Sequence, residues 1–323
     1  RILAQAPATY DHPTYELSLA MMALEARRTP PREARLRARG TLQGWLERSL
    51  TKAERAYMRA GTRFLLERGN RGAAGAETVT GGAPGVLRWT YSRDRDLDPR
   101  TGRSHSWDNS NTQYAVLGLN AAARCNIAIP DSDWMAIANH WLQNQERQGR
   151  TRKSFRLEPH PSKTAKGKQR TDRYDWRRRG RQSAMERGWT YHWFQDRYAT
   201  PMPGTQIAYG SMTAGGISSL AIADAHLRRR KSTRYRREMR LSVAQAIRDG
   251  FAWLDGAWTV WENPRHDLWY LYHLYGLERA GILADVASVG EHDWYWEGAL
   301  QLILRQTKHG TWLYSDGEWA GTC

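Results

Sequence analysis

The chain has 323 residues, enough for one large core or two ordinary domains. Aromatic residues make up 11%, with 16 Trp against 4 Phe, which excludes a disordered polymer, and no apolar run of about 18 residues exists to cross a membrane. The formal net charge of +16 points to nucleic acid only until it is located: positions 150–182 hold 13 Lys/Arg against 3 Asp/Glu, positions 226–240 hold 8 against 1, and the remainder carries −1.

The chain opens on Arg1, Ile2, Leu3 and Ala4 without Met and without a basic start leading into an apolar stretch, so it reads as cut from a longer protein. Two cysteines, Cys125 and Cys323, are too few for a disulfide framework or a Cys-rich zinc site. Cys125 closes an apolar helical pattern and reads as a small buried hydrophobe.

Periodicity predicts helices near 14–27, 51–68, 110–124, 131–147, 211–228, 234–254, 267–280 and 293–306, and essentially no β-sheet. Two kinds alternate. Segments 14–24, 111–119, 211–220 and 269–277 are apolar or small nearly all round, the pattern of a helix buried on both sides. Segments 51–68 and 131–148 carry one stripe instead: Ala53, Ala56, Tyr57, Ala60 and Phe64 in one, Trp134, Ile137, Ala138, Trp141 and Leu142 in the other. A Gly/Trp turn closes each pair, at Trp89, Trp189, Trp258 and Trp312. The repeat describes an all-α protein in which inner helices are wrapped by outer ones, a geometry that helix solenoids share. A single domain over 1–323 is expected, with loop inserts near 69–106 and 148–187, the second basic, nearly free of aliphatic residues and read as disordered.

Gln306, Gly310 and Trp312, spaced Gln-x-x-x-Gly-x-Trp, resemble the QW motif of squalene and oxidosqualene cyclases, in which Gln caps a helix end and Trp packs over it. Residues 275–281 and 321–323 also look like repeat pieces of the terpenoid cyclase and protein prenyltransferase superfamily. The resemblance covers nearly the whole chain and implies an α/α toroid of helix hairpins, about four plus the start of a fifth, hence an incomplete ring. It further implies a central cavity in which an isoprenoid lies against aromatic walls.

In such a ring the inner helices run the same way and their N-termini gather at one rim, where free backbone N–H groups favour an anion. The residues there are Trp107, Asp108, Asn109, Gln113 and Tyr114; Ser211 and Thr213; and His266, Asp267, Trp269, Tyr270 and Tyr272. Trp107, Tyr114, Trp269, Tyr270 and Tyr272 would form the cation-stabilising wall, with Asn109, Gln113, Ser211 and Thr213 as polar ligand contacts. Asp108 and the pair His266/Asp267 are the catalytic acid/base candidates. An equally direct reading makes Asp108, Ser211 and Asp267 ordinary N-caps and the aromatics core.

The chain departs from the catalytic families. The Asp-x-Asp-Asp acid motif of squalene-type cyclases is absent, since Asp94, Asp96 and Asp98 have the wrong spacing. The Asp-x-Cys and His zinc ligands of prenyltransferases are absent too, so no metal or cofactor is expected. For calcium, Pro99 and His105 stand where Gly and Glu are required. Two functional readings follow: a cyclase-like toroid holding an apolar, isoprenoid-type ligand, or a non-catalytic scaffold binding a protein or an anionic polymer through its basic inserts.

Overall fold

The computed structural model describes residues 10–38, 45–71, 85–91, 107–159, 176, 182–192 and 207–312. Asp94, Asp96, Asp98, His105, most of the first insert and the segment 321–323 lie outside them. Among the described residues ten helices dominate, joined by four short strands. The chain divides into two compact units, one of Arg1–Gln143, Ser162–Lys168 and Ile222–Arg237, the other of Asn144–Pro161, Gln169–Ala221 and Glu238–Cys323.

The first unit holds α1 (Pro13–Arg27), α2 (Arg32–Ala38), α3 (Lys52–Arg68), α4 (Asn109–Arg124) and α5 (Asp131–Gln143). It also takes the last turns of α6 (Gly210–Arg229) and nearly all of α7 (Thr233–Glu238). Helices α1 and α4 pack closely because Ser18 meets Gly118, where an added Cβ would lie 3.0 Å from the Ser18 backbone. Helix α3 packs on both of them. A capping box starts it: Glu54 N donates to Thr51 Oγ1 at 3.3 Å and Thr51 N to Glu54 Oε2 at 2.8 Å. Arg28 also bonds Glu54 and, as the leading cause, holds its carboxyl down at about 2.

Beneath them Arg48, buried at 2% exposure, pairs with Glu25 at 2.6 Å and with Glu33. Arg124 joins both carboxylates at 3.2 and 2.9 Å. Such a network holds because each charge is partnered; removing one partner strands the rest.

In the second unit, α8 (Arg240–Gly256), α9 (Tyr270–Ala284) and α10 (Trp294–Arg305) accompany two small antiparallel ladders. Strand β1 (Thr151–Phe155) pairs with β3 (Gln182–Met185), with Thr151 opposite Met185. Strand β2 (Leu157–Pro159) pairs with β4 (Val286–Val289), with Leu157 opposite Val289.

These ladders correct the expectation of a chain without sheet and of a basic insert that is loop from end to end. The reason lies in a few anchors. Phe155 and Leu157 are each 2% exposed and Trp176 is 6% exposed. Arg248 on α8 donates to the carbonyls of Phe155, Trp176 and Gln182. Burial pulls its guanidinium down to about 10. Asp249, with no exposed surface, accepts from Met185 N at 2.8 Å, Gln245 Nε2 at 2.8 Å and Arg187 Nε at 2.9 Å.

Other boundaries moved as well. The expected helix 234–254 is broken at Met239 into α7 and α8, and α2 is additional. Helix α9 begins three residues later than expected: Asn263 and His266 close a tight turn with Arg265 at φ 62°, and Trp269, just before the helix, takes φ 68°. Helix α1 is not buried on both sides: Leu19 is 46% exposed.

Candidate functional site

The Trp turns organise both units by the same bonds. In the first, Trp89 N donates to Thr112 Oγ1 at 3.0 Å, and Trp89 O accepts from Asp108 N at 2.9 Å. In the second, Trp189 N donates to Thr213 Oγ1 at 3.2 Å, and Trp189 O accepts from Tyr209 N at 3.2 Å. Each turn thus grips the first turn of the helix that follows it. The indole of Trp89 caps the preceding helix, donating to Leu65 O at 2.7 Å. Trp312 does the same to Leu302 O at 2.8 Å, while Gln306, the C-cap of α10, donates to Gly310 O at 3.1 Å.

Five of the residues singled out in the sequence lie in the first unit, at the start of α4. Asp108 is 4% exposed and is the N-cap: its Oδ1 accepts from Asn111 N at 2.8 Å and Ser110 Oγ at 2.7 Å, its Oδ2 from Asn111 Nδ2 at 2.8 Å. Three converging donors bind both of its oxygens to the start of its own helix. Asn109 Oδ1 lies 2.8 Å from Nε2 of His140, a residue with no exposed surface. Trp107 stands edge-on to that imidazole at 4.9 Å, with Arg88 at 4.5 Å over its own ring. Gln113 is fully buried and Tyr114 half-buried, its ring 4.4 Å from Tyr15. Burial, then the Asp108 charge, pushes the Tyr15 hydroxyl well up.

The other seven lie in the second unit. Ser211 is held by Asn263, whose Oδ1 accepts from Ser211 N at 2.9 Å while its Nδ2 donates to Ser211 Oγ at 3.2 Å. Gly210 N donates to Pro264 O at 2.9 Å, and only a glycine fits there, since a Cβ would sit 2.3 Å from the proline ring. Thr213 serves Trp189. His266 packs on Tyr209 at 4.6 Å, and its Nδ1 accepts from Leu268 N at 3.1 Å. Asp267 is exposed, caps no helix, and forms no hydrogen bond with His266 among the described residues. Trp269 and Tyr272 are half-buried. Tyr270 is buried, its hydroxyl donating to Val260 O at 3.0 Å and its ring lying 4.3 Å from the Arg305 guanidinium.

Among the described residues no group of three or more His, Cys, Asp or Glu could hold a metal ion. Burial pushes the Cys125 thiol up to about 12, so it stays protonated.

No family model matches the chain, and no curated protein or solved structure does either.

What sequence reasoning missed is how the basic segment is anchored to the fold. Arg228, Arg229, Arg230, Lys231, Arg234, Arg236 and Arg237 are all exposed along the end of α6 and along α7. In their midst Tyr235 has no exposed surface and donates to Asp224 Oδ1 at 2.8 Å. Arg228 pairs with Asp224 at 3.2 Å, Arg230 with Asp131 at 3.1 Å, and Arg229 lies 4.7 Å over the Trp45 ring. A lone tyrosine inside an arginine run was the available signal.

Proposed function

We propose that the chain is a non-catalytic helical-repeat scaffold that binds an acidic polymer through the basic element at 228–237. The observation that carries this reading is the Tyr235–Asp224 bond, which ties an arginine-rich helix to α6. A solvated basic loop must surrender its freedom when it binds, whereas cations on a pinned helix have already surrendered much of it. The capping role of Asp108, and the exposed position of Asp267 without an ion pair among the described residues, favour a scaffold over an acid catalyst. A fluorescent polyphosphate chain titrated at increasing salt tests it. Replacing Arg234, Arg236 and Arg237 together by Ala should reduce the slope of log affinity against log salt by about 2 to 3. Unchanged binding in that variant, or no binding at low salt, would sink the reading.

A second reading, a terpenoid-cyclase-like toroid around an apolar ligand, is favoured by one specific feature. Helix α1 has almost no polar face, yet leaves Leu19 46% exposed. Asp108, His266 and Asp267 would remain its catalytic candidates. Displacement of a fluorescent apolar probe by a long-chain isoprenoid alcohol, lost in Leu19→Lys, would support it; indifference of the probe would count against it.

A further inference from the structure

Helix α4 ends in a Schellman motif that shapes a groove on the first unit. Asn126 takes φ 61°, its N–H donates to Ala123 O at 3.1 Å, and Ile127 N donates to Ala122 O at 3.0 Å. The reversal lays Ile127 and Ala128 beside the last turns of α3. Between them lies an open cavity of about 560 Å³, lined by Arg59, Thr62, Arg63, Leu66, Ile127 and Ala128, with Glu67 and Asn126 also at its wall. That is within the size range of small-ligand sites, roughly 300–1,000 Å³.

We propose that this groove binds a small amphipathic anion, a carboxylate carried on an apolar stem. Arg59 and Arg63 stand on successive turns of α3, both exposed, and neither forms an ion pair or hydrogen bond with the described residues. Guanidiniums one turn apart on a helix face the same way and can hold both oxygens of one carboxylate. Leu66, Ile127 and Ala128 supply the apolar strip for the stem. Thr62 contributes only its methyl, because its hydroxyl is spent on Met58 O at 2.8 Å. Two features oppose an anion: Glu67 and the negative end of α4, about half a charge. The two arginines outweigh them, and Arg55, one turn before Arg59, adds to the same field. The site is independent of the basic element at 228–237, so either proposal can fail alone.

Decanoate, titrated into the protein and followed by calorimetry and by chemical shifts of labelled arginine side chains, is the direct test. Decanol and acetate are the controls, the first for stem without charge and the second for charge without a stem. Decanoate should bind at least about tenfold more tightly than either. Arg59→Ala and Arg63→Ala should each weaken decanoate about tenfold with no change in melting temperature. Ile127→Ser should weaken it while leaving acetate unaffected. Equal binding of decanol and decanoate, or full affinity in the double Arg59→Ala, Arg63→Ala variant, would overturn the proposal.

Discussion

The backbone N–H of Trp89 donates to Thr112 Oγ1 across 3.0 Å, and Trp189 repeats the bond to Thr213 at 3.2 Å. In both cases a threonine in the first turns of a buried helix reaches out to the turn that precedes it. The Trp turn is therefore a joint between one hairpin and the next.

Thr112→Val and Thr213→Val each keep the shape and remove the oxygen. Each should destabilise its unit by about 1–3 kcal/mol, since a buried N–H loses its acceptor, whereas Thr→Ser at either site should cost less. Urea denaturation of the four variants checks this. A Val variant as stable as the parent would show that the joint is incidental.

The hairpin of the basic insert should matter for stability, contrary to its composition. Asp249 has no exposed surface and bonds β3, Gln245 and Arg187 at once. Asp249→Ala should cost about 3 kcal/mol, because Arg187 and Met185 N are left without their partner. Arg187→Ala, at a side chain 23% exposed, should cost less than Asp249→Ala. Denaturation midpoints of the two variants give the comparison, and the reverse order would refute the anchoring role.

Acid should destabilise the first unit before its carboxylates titrate. His226 is buried, stacked on Trp134 at 4.4 Å and bonded to Asn120 at 2.9 Å. Burial first, then Arg230, Arg229 and Arg124, bring its imidazole down to about 3. The unfolded histidine titrates near 6.5 and the folded one near 3, so only the unfolded state takes up the proton between them. Stability is therefore flat above about pH 6.5 and falls as pH drops toward 3. His273 in the second unit, brought to about 4 chiefly by burial, adds a fall of the same sign. His226→Gln should flatten part of the slope between pH 6 and about 4 in a urea titration, and an unchanged slope would remove His226 as its source.

Much of the helical framework was legible in the residues. Apolar periodicity at 14–27, 51–68 and 110–124 placed α1, α3 and α4 within a residue or two, because a helix face is written by neighbours three and four apart. The Trp turns were legible for the same reason, as local punctuation. Asp108 was marked as a candidate N-cap by its position before an apolar run, and it caps α4.

Other features could be decided only in three dimensions. The basic insert forms strands because Arg248, far along the chain, collects the carbonyls of Phe155, Trp176 and Gln182. Asn263 holds Ser211 from 52 residues away, and Tyr235 ties an arginine run to α6 by finding Asp224. The sequence by itself determined most of the longer helices, such as α1, α3 and α4, since those choices rest on neighbouring residues. Tertiary structure decided which polar groups are spent on the fold and which remain for a ligand, since a hydrogen bond depends on where distant side chains meet.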